Sequence, residues 1–249
     1  MAPYVTLKKH ENIGYIEFFN PPHNALPPSM LTELCLIVEA AAGDDQIHVI
    51  VLKSGADRTF CAGASFNDMV AITTEAEGKA FFMGFANVIN ALRKCPKITI
   101  GVVQGKAVGG GVGLAAATDI CFACESALIK LSELSIGIGP FVIEPAVKRK
   151  IGNAAMAQLT LKSQTFFSAK WACEKGLYNN VFETNKELNN EVDLLARELQ
   201  NYNPEALLAY KKILWEGTED WDALLESRAT LSGQLVLSPK AKAYLEKYS

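Results

Sequence analysis

Histidine is scarce in this chain. There are three in 249 residues, His10, His23 and His48, and none stands at a spacing that holds a metal ion. An excess of charge of one sign is also missing. The formal net charge is −3 with no long run of one sign, so the clustered basic footprint that phosphate backbones require is absent and no nucleic-acid partner is expected. No apolar stretch reaches the ~20 residues that span a bilayer. The opening MAPYVTLKKHENIGYIEFF has no basic segment followed by an apolar run. Neither a membrane anchor nor a signal peptide is expected, and the expected setting is cytoplasm. Six cysteines do not make a disulfide framework. Cys121 and Cys124 form a C-x-x-C, but positions three apart on a strand face opposite sides. Buried thiols are expected there rather than a metal pair, and no metal site is expected anywhere.

What is present fits one sizeable core: 49% hydrophobic and 20% charged residues. YVTLKKHENIGYIEFF predicts two strands around a polar turn from His10 to Gly14. SMLTELCLIVEAAAGDD predicts a helix capped by Ser29 and stopped at Gly43. IHVIVLKSG, KITIGVVQG and DICFAC read as buried strands. DRTFCAGASFNDM reads as a loop, and TEAEGKAFFMGFANVINALRKC as a helix ended by Pro96. After Pro140 the pattern turns mainly helical. The expected plan is a single α/β core over residues 1–190, followed by a helical C-terminal region over 191–249.

Two loops share a design. CAGAS follows the strand of residues 48–53, and VGGGVG follows the strand of residues 98–103. Glycine is costly inside regular structure, so three in a row at the start of a helix need a reason. Small side chains expose main-chain N–H groups, and two such groups aimed at one point make an oxyanion hole. The helix starting near Gly110 adds its positive end to that point. GGGVGLAA lacks the dinucleotide spacing and the Walker lysine. GASFN around Ser65 fails as a nucleophile elbow at its last position. Tight helix–strand packing alone remains the alternative reading of the glycines.

Taken together, NPPHNAL, FCAGASF, VVQGKAVGGGVGLAAATDI, LSELSIGIGP and SAKWACEKGLYNNVF resemble the crotonase superfamily, also called the enoyl-CoA hydratase/isomerase family. The pattern is nearest to methylglutaconyl-CoA hydratase-like bacterial members and has some likeness to dehydratases acting on carrier-protein thioesters. The resemblance spans nearly the whole chain. It implies a crotonase-like spiral of ββα units, a helical C-terminal region that builds homotrimers or hexamers, and an acyl-CoA substrate with no separate cofactor. Carried over by motif, the N–H groups of Ala64 and Gly110 would hold the thioester carbonyl. Ala62 would lie near the adenine, and the loop Ala64, Ser65, Phe66, Asn67 would lie along the bound CoA. Ser65 and Asn67 depart from the Asp and the basic residue usual in that loop.

Hydratases of the family use two glutamates. At the first position this chain has Gly113; at the second, twenty positions on, it keeps Glu133. Glu133 is the expected acid/base, since a carboxyl facing an apolar pocket has its pKa raised towards neutrality. Asp119 matches a structural Asp. Glu144 is a candidate second carboxylate, with a helix N-terminal role as the plainer reading. Phe81, Phe82 and Phe85 are expected to line an acyl pocket. The resemblance implies hydration of a 2-enoyl-CoA, with 3-enoyl to 2-enoyl isomerisation on Glu133 alone as the alternative. A carrier-protein-thioester dehydratase and a non-catalytic acyl-CoA binder are the remaining readings.

Overall fold

β1 (Tyr4–His10) and β2 (Ile13–Phe19) form an antiparallel hairpin whose register runs from Tyr4 opposite Phe19 to His10 opposite Ile13. The strands therefore reach to the two-residue tip Glu11–Asn12, and Glu11 takes a positive φ of 53° there. The polar turn is shorter than the sequence predicts. A computed structural model of the chain describes residues 2–248.

Along the chain follow β3 (Ala25–Leu26), α1 (Pro28–Gly43), β4 (Val49–Ser54), β5 (Thr59–Cys61), β6 (Gly63–Ala64), α2 (Phe66–Val70) and α3 (Glu75–Lys94). Then come β7 (Ile98–Val103), β8 (Lys106–Val108), α4 (Gly110–Ala117), β9 (Ile120–Cys124), β10 (Ile129–Lys130), α5 (Glu133–Ile136) and α6 (Glu144–Leu161). The chain closes with α7 (Ala169–Glu174), β11 (Asn180–Phe182), α8 (Asn185–Leu199), α9 (Pro204–Leu214), α10 (Trp221–Leu235) and α11 (Pro239–Tyr248).

The main sheet has the order β1-β2-β4-β7-β9-β11, and every neighbouring pair after the hairpin is parallel. A parallel sheet is covered on both faces, and the period of two shows how. Ile50, Leu52, Val103, Cys121 and Ala123 enter the large core under α1, α3 and α4. Val49, Val51, Ile100, Val102, Phe122 and Cys124 face the opposite way, onto Leu188, Val192 and Ala196 of α8. Cys121 and Cys124 thus lie on opposite faces, as their spacing predicts. Residue 191, the expected start of the C-terminal region, falls within α8.

Several boundaries differ from the sequence expectation. Ser29 is not the cap of α1: the helix opens at Pro28, whose fixed φ suits the first turn, and Pro27 takes the N-cap position. Gly43 is its last helical residue, and Asp44 leaves the helix. DRTFCAGASFNDM is not one loop. β5 pairs with β8 in a three-stranded parallel sheet that also holds β10, and β6 pairs with β3. α3 starts where its composition says, at a capping box in which the Thr74 hydroxyl accepts the Glu77 N–H at 3.2 Å and Glu77 Oε2 accepts the Thr74 N–H at 3.1 Å. Residues 243–248 of the closing stretch belong to α11.

Candidate active site

The two glycine loops meet. Gly63, between β5 and the end of β6, has φ +90°, and a Cβ there would lie 3.0 Å from the Val108 carbonyl and 3.4 Å from Gly110 N. Each glycine of the GGG run is required by a different neighbour. Gly109 has φ 52° and ψ −119°, a conformation L side chains rarely adopt. A Cβ on Gly109 would stand 2.9 Å from Glu133 Oε1. A Cβ on Gly110 would lie 2.4 Å from the Phe85 ring, and one on Gly111 would lie 2.4 Å from the Cys61 carbonyl. The glycines bring α4 onto the β5–β6 loop, the α3 ring and the α5 carboxyl together. Close packing is therefore one reason for the run. Gly110 opens α4, so its N–H has no carbonyl partner within the helix.

At this junction lies a cavity of about 260 Å³. Ala62, Gly63 and Ala64 come to its wall from one loop, and Gly109 and Gly110 from the other. Phe66 and Met69 of α2, Phe82 and Phe85 of α3, Ile136 and Glu133 of α5, and Ser232 of α10 complete much of the rest. Ser232 reaches the wall because α10 crosses α3 at Gly78 and Gly233, where a Cβ on Gly78 would lie 2.7 Å from the Gly233 Cα.

Glu133 is the first residue of α5. The residue is only partly buried, but its Oε2 is enclosed and has no hydrogen-bond partner. Burial pushes its carboxyl up to about 7, against a small opposing effect of its own backbone N–H. Such a group exchanges a proton near neutral pH.

The remaining expected residues divide. Ala62, Ala64, Phe66, Gly110 and Glu133 share the cavity wall. Ser65 and Asn67 do not line it. The Ser65 hydroxyl caps α2 by accepting the Asp68 N–H at 3.4 Å, and Asn67 is exposed on that helix. Phe82 and Phe85 line the cavity, but Phe81 packs beside it with Val236, Ala241 and Leu245. Glu144 does not supply a second carboxylate to the wall. It opens α6, holds Lys148 at 2.7 Å and lies 3.9 Å from Arg228. Asp119 is structural: it accepts from Thr99 N–H at 2.7 Å and Trp215 Nε1 at 2.6 Å, and pairs with Lys211 at 2.9 Å. A Cβ on Gly113 would meet Ile143 Cγ2 at 2.4 Å, and Ile143 itself lines the cavity. The place in front of residue 113 is filled by an isoleucine.

Sequence reasoning missed His23, Ser132, Ile143 and Ser232, all on the wall. His23 stands inside the NPPHNAL stretch and Ser132 next to Glu133, so a local signal existed for both. Ser232 has none, because only the crossing of α3 and α10 brings it there.

A family model described as "Enoyl-CoA hydratase/isomerase" matches residues 8–247. The chain belongs to the enoyl-CoA hydratase/isomerase family. It is 26% identical over 249 residues to a probable enoyl-CoA hydratase of Bacillus subtilis, covering 98% of this chain and 96% of that one. It is 30% identical over 201 residues to a mitochondrial methylglutaconyl-CoA hydratase of Mus musculus, covering 79% and 63%. The crystal structure of an enoyl-CoA hydratase from Bacillus halodurans superposes with a TM-score of 0.91 at 23% identity, over 98% of this chain and 99% of that one. The fold is the crotonase fold of this family, and the chain is an enzyme of the hydratase/isomerase kind.

Proposed function

We propose that this enzyme hydrates a 2-enoyl thioester of coenzyme A, with Glu133 as acid/base and the N–H groups of Ala64 and Gly110 as donors to the thioester carbonyl. The observation that carries the reading is the Glu133 carboxyl, enclosed and unpartnered on one oxygen at the wall of an apolar cavity beside the start of α4. In hydration a water oxygen bonds to C3 and the C2=C3 electron pair moves towards the carbonyl. The Glu133 carboxylate takes the water proton. Negative charge on the carbonyl oxygen is met by the N–H groups of Ala64 and Gly110. The carboxyl then returns a proton to C2 as the enolate collapses, and one water has been added.

The Gly113–Ile143 contact favours a second reading. With no carboxylate at position 113, one base could remove a proton from C2 of a 3-enoyl thioester and return it at C4, giving the conjugated isomer. Product analysis by mass spectrometry separates the two. The protein is given crotonyl-CoA, 3-methylglutaconyl-CoA and a 3-enoyl-CoA in separate reactions. A gain of one water on a 2-enoyl substrate supports the hydratase. Conversion of the 3-enoyl substrate without water gain makes it an isomerase. No reaction with any of them would overturn both.

A further inference from the structure

Among the described residues, no lysine or arginine lines the cavity that carries the proposed thioester chemistry, and besides Glu133 its polar side chains there are His23, Ser132 and Ser232. Ser232 donates its hydroxyl to the Arg228 carbonyl at 3.0 Å. His23 is exposed and sits two residues before Ala25, whose strand pairs with Gly63. It therefore belongs to the glycine-loop side of the wall, not to the side built by α2, α3 and α10.

α2 carries no lysine or arginine, and each one on α3 and α10 has a partner elsewhere. Arg228, one turn before Ser232, lies 3.9 Å from Glu144, which also holds Lys148 at 2.7 Å. Lys79 of α3 pairs with Glu226 at 2.6 Å, Lys94 pairs with Asp222 at 2.7 Å, and Lys242 of α11 donates to the Ile72 carbonyl. Arg93 bonds the Thr218 carbonyl at 2.9 Å and Asp222 at 3.1 Å.

We infer, on the basis of the proposed thioester reading, that the acyl group this enzyme accepts is uncharged and apolar, and that acyl groups ending in a second carboxylate are rejected. A carboxylate pushed between Phe66, Met69, Phe82 and Ile138 loses its water and gains no partner, which is strongly unfavourable. It also meets Glu133, whose own ionisation a like charge opposes. Discrimination therefore comes from a missing cation and an apolar wall, a form of specificity by exclusion.

Isothermal titration with two saturated probes of equal carbon number tests this on the unmodified protein. Pentanoyl-CoA and glutaryl-CoA differ at the end of the chain, in a methyl or a carboxylate, and neither carries the double bond needed for turnover. The expected result is binding of pentanoyl-CoA and at least about 100-fold weaker binding of glutaryl-CoA, the scale of an unpaired buried charge. Glutaryl-CoA binding within about tenfold of pentanoyl-CoA would overturn this inference and leave the thioester reading standing. Failure of both probes to bind would overturn the thioester reading itself, and this inference with it.

Discussion

Glu133 is held where its charged form is disfavoured, and the cost is the same feature that suits it to proton transfer. Its carboxyl has an ordinary value of 4.5 and is pushed up to about 7 by burial. The linkage has a definite sign. The protonated form is the one the fold accepts, so this contribution to stability is complete below about pH 4.5 and is lost as pH rises through about 7. Glu133→Gln removes that cost. Thermal unfolding at pH 8 is expected to show the variant more stable than the parent, by on the order of 2–3 kcal/mol, and the gap is expected to narrow to under about 1 kcal/mol at pH 5. In the proposed hydration the ionised carboxyl starts the reaction. The kcat/KM of the parent is therefore expected to climb as pH rises through about 7 and then level off, with a plateau already reached at pH 5 arguing against Glu133 as the base. At this scale the sequence was informative where a motif names the residue. Glu133, Ala64 and Gly110 could be placed from their loops. The motif sets Ser65 and Asn67 beside a bound CoA rather than in the acyl cavity; in the fold Ser65 caps α2, Asn67 is exposed on that helix, and neither lines the cavity.

Among the elements, α4 shows why glycine is required. Gly113→Glu reinstates the residue of two-carboxylate hydratases, but its Cβ would meet Ile143 Cγ2 at 2.4 Å. That variant is expected to lose about 1–3 kcal/mol of stability in chemical denaturation, the range for overpacking a filled core. Adding Ile143→Ala is expected to recover part of the loss, and an unchanged midpoint for Gly113→Glu alone would show that Ile143 does not set the space. The long elements were legible in sequence. α3 carries the Thr74–Glu77 box, β4 opens with the apolar run VIVL, and β7 is rich in Ile and Val and buried along its whole length. The short strands were not. β5, β6 and β10 are two or three residues long, too short to show a period, and they exist because partners distant in sequence pair with them. The hydrogen bonds that define β5 come from β8, on the far side of α2, α3 and β7.

For the whole molecule, one buried ion pair ties the C-terminal helices to the sheet. Lys211 of α9 and Asp119 before β9 are 3% and 2% exposed at their side chains and 2.9 Å apart, which leaves no water to take over if one partner is removed. Lys211 also donates to the carbonyls of Leu92 and Lys97, at 3.0 and 2.8 Å. Lys211→Ala is expected to cost about 3–5 kcal/mol in chemical denaturation, since it strands a buried carboxylate. A loss below about 1 kcal/mol would mean the latch is replaceable.

The proposed chemistry turns on proton transfer by Glu133. Its most direct test is a side-by-side measurement on Glu133→Gln of crotonyl-CoA turnover, or of whichever enoyl-CoA the parent converts, and of pentanoyl-CoA affinity. The expected result is a kcat lowered by about 10²–10⁴-fold with the dissociation constant for pentanoyl-CoA within about threefold of the parent. Turnover by the variant within a few-fold of the parent would contradict the account.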